Sequence, residues 1–191
     1  MVEMWAKPTQ TGHVAEAFFA MVCLRLNISV FSSHFANNFG YDFILDSQNQ
    51  FFKGLLRVQV RAATSGSVPS YHASMWRISN DKKIPYPEDS CDYIALVHSE
   101  TSDFWMVPWD EIQQYIDKKN GNLVWLKRGN EPLRSRNSAN LDRYHLSIAT
   151  YKDVEAASTR FKVHFLDIAR RRARRLKEAE SAAIKAPLDP S

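Results

Sequence analysis

The chain has 191 residues, 45% of them apolar and 12% aromatic, with 25 Lys and Arg against 21 Asp and Glu for a net charge of +4. That length and apolar content suit one globular domain with an appendage and exclude a disordered polymer. No apolar run approaches the roughly 18 residues of a membrane span, the N-terminus lacks an apolar leader core, and Cys23 and Cys91 lie in apolar stretches, so the expectation is free buried thiols in an intracellular, cytoplasmic protein with no membrane partner.

Residues 10–26 read as an amphipathic helix, with Val14, Ala17, Phe18, Met21, Val22 and Leu26 recurring at spacings of three and four. Thr9 or Thr11 is placed to cap it, with Pro8 just upstream. Residues 28–33 form a β-branched first strand, and Asn37-Asn38-Phe39-Gly40 is turn chemistry. Tyr41 to Leu45 is a second strand and Ser47 to Gln50 a second turn. Phe52 to Ala63 is a long third strand with Leu56, Val58 and Val60 on one face and Arg57, Gln59 and Arg61 on the other.

A Ser/Gly/Pro loop at 64–70 leads to an expected edge strand at 71–78, then to a loop at 79–89 holding Pro85 and Pro87. Tyr93 to His98 and Phe104 to Pro108 read as a hairpin around residues 99–102, and Trp109 to Lys118 as a helix. Residues 128–143 are basic and unpatterned, an expected loop or arm, and the chain beyond Tyr144 is mainly helical up to a polar tail after Lys185. The order predicts an α/β fold with a central mixed β-sheet flanked by helices. The expected division is a core over 1–143 and a basic helical C-terminal extension over 144–191.

Residues 160–178 hold eight Arg and Lys against Asp167 and Glu178. The run Arg170, Arg171, Arg172, Arg174 and Arg175 suits a polyanionic partner, as do Arg134 and Arg136 in the preceding arm. A solvated helix face is the plainer alternative. Trp76 and Trp125 lie near loops and are candidates for stacking on bases. The six histidines show no metal-ligand spacing, and no Walker loop or G-x-S-x-G elbow occurs.

The chemistry concentrates in the first third. Gly12-His13-Val14-Ala15-Glu16 puts an acid on a helix, Tyr41-Asp42 puts one at a strand start, and Val58-Gln59-Val60-Arg61 puts a polar and a basic side chain at i and i+2 of the next strand. Across an antiparallel pair, Asp42 and Gln59 can face each other about 5 Å apart, with Arg61 one step along the same face. Such a set can hold a hard divalent ion against a phosphodiester and place a cation beside the developing charge. Singly, Glu16 suits an exposed helix face, Asp42 a turn end, and Gln59 with Arg61 a solvated strand face.

This pattern resembles the PD-(D/E)XK nuclease superfamily. GHVAE on the helix, the N-x-x-YD strand, the VQVRAA strand and the later DYIALVH…FWMVPW hairpin match its order and spacing over about residues 10–112. The look is closest to the branch of Holliday-junction resolvases and a bacterial intron-encoded homing endonuclease. The resemblance implies a restriction-endonuclease-like core and Mg²⁺-dependent hydrolysis of DNA phosphodiesters, with Mn²⁺ able to substitute. It makes Asp42 the principal metal ligand, Glu16 an assisting carboxylate and Gln59 the occupant of the second acid's place. Arg61 takes the lysine's place, and Arg57 is a further cation beside the DNA. It also implies a homo-oligomer. Gln59 contributes no charge, and Arg61 stays protonated and is a poor base. The alternative reading is therefore a catalytically eroded relative that serves as a DNA-binding or protein-interaction module.

Overall fold

The structure, a computed structural model, describes residues 7–32, 40–65, 70–79, 82–87, 89–98, 101–117, 119, 121–126, 138, 139, 141–147, 153–160 and the helical positions 162, 163, 166, 170, 173, 174, 177, 178 and 181. Helix α1 (Lys7–Arg25) starts earlier than expected, so Thr9 and Thr11 lie inside it. Pro8 falls in its first turn, where its missing N–H costs nothing. The helix ends in a Schellman motif: Asn27 takes φ 57°, the Ile28 N–H reaches Cys23 O at 2.9 Å and the Asn27 N–H reaches Leu24 O at 3.0 Å.

The buried face of α1 is rotated from the one the apolar spacing suggests. Ala15, Phe19, Val22, Cys23 and Leu26 are buried, whereas Val14 and Met21 are exposed. The helix is apolar on two sides, and periodicity alone does not say which one meets the sheet.

The strands follow as β1 (Ser29–Ser32), β2 (Phe43–Asp46), β3 (Leu55–Ala62), β4 (Thr64–Ser65), β5 (Ser70–Ser74), β6 (Trp76–Ser79), β7 (Lys82–Pro85), β8 (Tyr93–His98) and β9 (Asp103–Pro108). Then come α2 (Trp109–Ile112), a 3-10 turn Gln113–Tyr115, β10 (Asn122–Leu126), β11 (Ser138–Ala139) and β12 (His145–Ser147). Six of them build a mixed sheet in the order β1-β2-β3-β8-β9-β12, antiparallel except for β3 and β8, which run parallel with Val58 opposite Tyr93.

Both faces of this sheet are covered, which is why every residue of β8 is buried. On one face α1 supplies Phe19 and Val22 against Leu56, Val58, Val60, Ala95 and Phe104. On the other, Ile94, Leu96, Trp105 and Val107 pack against Tyr71, Ala73, Leu123 and Trp125 from a smaller sheet ordered β11-β10-β5-β4. The expected α/β fold with a central mixed sheet is therefore present.

Several elements differ from expectation. The expected strand 71–78 breaks at Met75 into β5 and β6, which belong to different sheets. The expected loop 79–89 contains β7, which pairs with β6 as a separate hairpin. The expected helix 109–118 is one α-turn followed by a 3-10 turn. β10, unassigned from the sequence, is one of the two interior strands of the second sheet. Residues 153–160 are helical, and Leu146 and Ala157 join the α1-side core, so chain beyond residue 143 contributes packing to the sheet. No described helix is long and apolar enough to cross a membrane. The Asn37-Asn38-Phe39 part of the first turn and the arm at 127–137 lie outside the described residues.

Candidate active site

β2 and β3 begin as a regular antiparallel pair, with Phe43 opposite Val58. The Asp42 N–H donates to Val58 O at 2.9 Å, and one further step of that register brings Asp42 opposite Gln59. There the chain leaves the sheet, while β3 runs on to Ala62. The edge of β3 facing the lost strand would be left with unpaired backbone groups, and side chains satisfy them. The Val60 N–H donates to Asp42 Oδ2 at 2.7 Å. Val60 O accepts from Gln59 Nε2 at 3.2 Å and from Arg61 Nη1 at 3.1 Å.

Gln59 Nε2 also donates to Asp42 Oδ2, and Gln59 is a buried polar residue only 3% exposed. Arg61 Nε is buried without a hydrogen-bond partner, and its guanidinium lies 4.9 Å above the centroid of the Tyr86 ring. Glu16 comes from α1, in the turn next to buried Ala15, and its carboxylate is 3.8 Å from His13 Nδ1.

The electrostatics show that three of these groups share one field. Burial pushes Asp42 up to about 6, against the pull of the Arg61 charge and the Val60 and Gln59 hydrogen bonds, and the Glu16 charge adds to the rise. Burial also lowers Arg61, opposed by the charges of Asp42 and Glu16. Glu16, Asp42, Gln59 and Arg61 are thus brought together where β2 parts from β3.

The donor set suits a hard divalent ion: two carboxylates, the Gln59 amide oxygen and the Val60 carbonyl, all oxygens. Among the described residues no three His, Cys, Asp or Glu side chains group as a metal cluster, so an ion held here would need a neutral donor as well. Gln59 turns its N–H to Asp42. Ligation through its oxygen would require the amide to turn half a revolution and give up that hydrogen bond.

Arg57 is differently placed. Its guanidinium is 3.2 Å from Asp92 Oδ1 and its backbone N–H donates to Asp92 Oδ2 at 2.8 Å. Burial would lower it, but the Asp92 hydrogen bond and charge outweigh that and raise it. Its charge is largely committed to the junction of β3 and β8. Arg170 and Arg174 are exposed helical residues, while Arg134, Arg136, Arg171, Arg172 and Arg175 lie outside the described residues. Trp125 is fully buried against Trp105 and Tyr71, at ring distances of 5.3 and 5.7 Å, and is not an exposed stacking surface. Sequence reasoning missed Tyr86, Asp92 and the Val60 peptide, and only the Pro85-Tyr86-Pro87 run gave any hint of a fixed aromatic.

A mixed sheet whose strands part over an acid, with a second acid from the covering helix, defines a nuclease-like protein. Residues 6–146 match the family model described as PD-(D/E)XK endonuclease, and the chain belongs to that family. Among solved structures, the bacterial homing endonuclease I-Ssp6803I is 18% identical with a TM-score of 0.54, over 69% of this chain and 86% of that chain. The structure of MepB is 14% identical with a TM-score of 0.40, over 64% of this chain and 88% of that chain. No curated protein matches the sequence. The likeness to the homing endonuclease shows the restriction-endonuclease-like fold.

Proposed function

We propose that the protein is a metal-dependent endodeoxyribonuclease that hydrolyses DNA phosphodiesters at the Glu16, Asp42, Gln59 and Arg61 cluster. The carrying observation is geometric: where β2 leaves β3, Asp42 caps the Val60 N–H at 2.7 Å and accepts from Gln59, with Arg61 two residues along the same strand and Glu16 near enough for its charge to act on Asp42. Asp42 is the principal ligand, Glu16 and the Gln59 oxygen assist, and Mg²⁺ is the natural ion, with Mn²⁺ able to replace it. When bound, the ion neutralises phosphoryl oxygens and lowers the pKa of a water. Arg61, buried with an unpaired Nε, donates to the developing phosphate charge and takes no proton. The DNA backbone is held further by the cations at Arg134, Arg136, Arg170, Arg171, Arg172, Arg174 and Arg175, whereas Arg57, expected to join them, is engaged with Asp92. The protein acts inside the cell as a homo-oligomer.

The test is incubation of supercoiled plasmid and branched DNA with Mg²⁺ or Mn²⁺, beside Asp42→Ala. Cutting that needs both the ion and Asp42 supports the enzyme. A second reading, an eroded DNA-binding or protein-interaction module on the same scaffold, is favoured by one observation, the Gln59 N–H capping Asp42. Salt-sensitive DNA binding without cutting, indifferent to chelator, would establish that reading instead.

A further inference from the structure

Tyr86 has two neighbours of opposite character. Arg61 lies over its ring at 4.9 Å, and Trp109 meets it edge-on at 6.1 Å between centroids. Behind it opens a cavity of ≈ 370 Å³ whose walls include Trp76, Tyr86, Trp109 and Ile116, with Gln113 and Asp117 as polar members. That volume is within the about 300–1,000 Å³ of small-molecule sites, and a mainly apolar wall with a few polar groups is their usual make-up.

The walls are held rigidly. Tyr86 is fixed between Pro85 and Pro87, and Pro87 O accepts the Trp109 indole N–H at 3.2 Å. Trp76 is seated on Gly121, where φ is +60° and an added Cβ would lie 1.6 Å from the indole nitrogen. Trp76 and Tyr86 are both partly exposed. Trp76 and Tyr86, both part-open on the cavity wall, offer aromatic surface to a flat ring.

We propose that this cavity takes a single DNA nucleobase, drawn out of its strand, while the phosphate of the same or the adjoining nucleotide lies at Arg61. Tyr86 is the shared wall: one face meets the guanidinium, and the ring closes the aromatic slot. Aromatic stacking tolerates any base, and Gln113 carries both donors and acceptors for a base edge. An extruded base suits a site that joins a phosphate cation to an aromatic slot through a single ring. The inference rests on the nuclease reading for its phosphate but not for its base.

The experiment is calorimetric titration of the full chain with the four deoxynucleoside 5′-monophosphates, with deoxyribose 5-phosphate and with N-acetyltryptophanamide. The mononucleotides should bind saturably, and deoxyribose 5-phosphate about tenfold or more weakly. Ile116→Trp, which fills the slot, and Trp76→Leu, which removes a wall, should each weaken mononucleotide binding about tenfold, with melting profiles confirming that both fold. Equal binding of deoxyribose 5-phosphate would reduce the site to a phosphate contact and overturn the proposal. Equal binding of N-acetyltryptophanamide would make it a peptide slot and do the same. Plasmid cutting lost on Asp42→Ala, with no mononucleotide bound, would overturn the pocket and leave the nuclease standing. Mononucleotide binding without cutting would support the pocket and count against the nuclease.

Discussion

Asp42 and Asp103 are both partly buried carboxylates at strand starts of the same sheet, and their surroundings are opposite. Asp103 is satisfied on every side: Thr101 Oγ1 donates to it at 2.7 Å, Tyr71 OH at 3.3 Å and His145 Nε2 at 2.7 Å. Because Thr101 donates to Asp103, its oxygen accepts from His98 Nδ1 at 3.0 Å, and His98 Nε2 lies 3.0 Å from Ser65 Oγ. Burial alone would raise Asp103, but the Thr101 and His145 hydrogen bonds, the His145 charge and Tyr71 outweigh it and hold the group below the ordinary carboxylate range. Asp42 has donors from a backbone N–H and a neutral amide, a second acid nearby, and ends raised to about 6. Beside it an arginine nitrogen is buried and unpaired. A network complete in itself ties strands together, whereas one left incomplete is stabilised by what binds it.

The sharpest break between the two carboxylates is Asp42→Asn. It should lower metal-dependent cutting more than about a hundredfold, since losing even a residue behind a metal ligand costs about 10–100-fold. Stability should move the other way. A folded-state value of about 6 against an ordinary one of 3.8 means that the native protein binds this proton more tightly than the unfolded chain. The penalty is absent below the ordinary range, grows as pH rises to about 6, and reaches about 3 kcal/mol at neutral pH. Asp42→Asn should recover part of it in a thermal melt at pH 7, and the gain should vanish at pH 3. At low ion concentration, cutting by the unmodified protein should fall as pH drops through about 6, because the proton and the ion compete for the carboxylate, and added ion should shift that fall to lower pH. A destabilised Asp42→Asn protein would mean that Asp42 is structural after all.

Gln59→Glu comes next. It adds the missing charge opposite Asp42 and removes the amide N–H that caps it, so the metal concentration for half-maximal cutting should drop about tenfold or more. An unchanged value would place the ion away from Gln59. Asp103→Asn, by contrast, should cost about 1–3 kcal/mol by leaving buried donors mismatched, with cutting per folded molecule unchanged. Its contribution is present above the ordinary carboxylate range and is lost as pH falls through the lowered Asp103 value. Denaturant melts at pH 7 and pH 3 would read both effects.

How much of this was legible depended on the range of the interaction. Alternation in β3 placed Leu56, Val58 and Val60 in the core and Gln59 with Arg61 on the other side, because a period of two belongs to the strand itself. The β8–β9 hairpin was equally local. The α1 face was not legible, because only the sheet decides which of two apolar stripes is buried. Nor was the fate of Arg57, claimed by Asp92 from 35 positions away across a parallel pairing. β10 and β7 stayed hidden for a related reason: Asn122–Leu126 is a strand because β5 is beside it, and Pro85 in β7 is tolerated because that hairpin has only two strands. The convergence of Glu16 with Asp42 followed from motif order, whereas Tyr86 under Arg61 belonged to a loop without any pattern.

The smallest effect falls on Gly12, one helical turn before Glu16. An added Cβ there meets nothing within 4 Å, and the residue needs no positive φ, so neither packing nor backbone geometry calls for glycine. Inside a helix it costs about 1 kcal/mol relative to alanine. Gly12→Ala should therefore raise the melting temperature by about 2–4 °C. The open space lies on the same side of α1 as Glu16, and it belongs with the unmet needs around Asp42 if a DNA backbone passes there. In that case Gly12→Ala, though more stable, should bind duplex DNA a few-fold more weakly. A variant that is more stable and binds DNA as before would confine the incomplete region to Glu16, Asp42, Gln59 and Arg61.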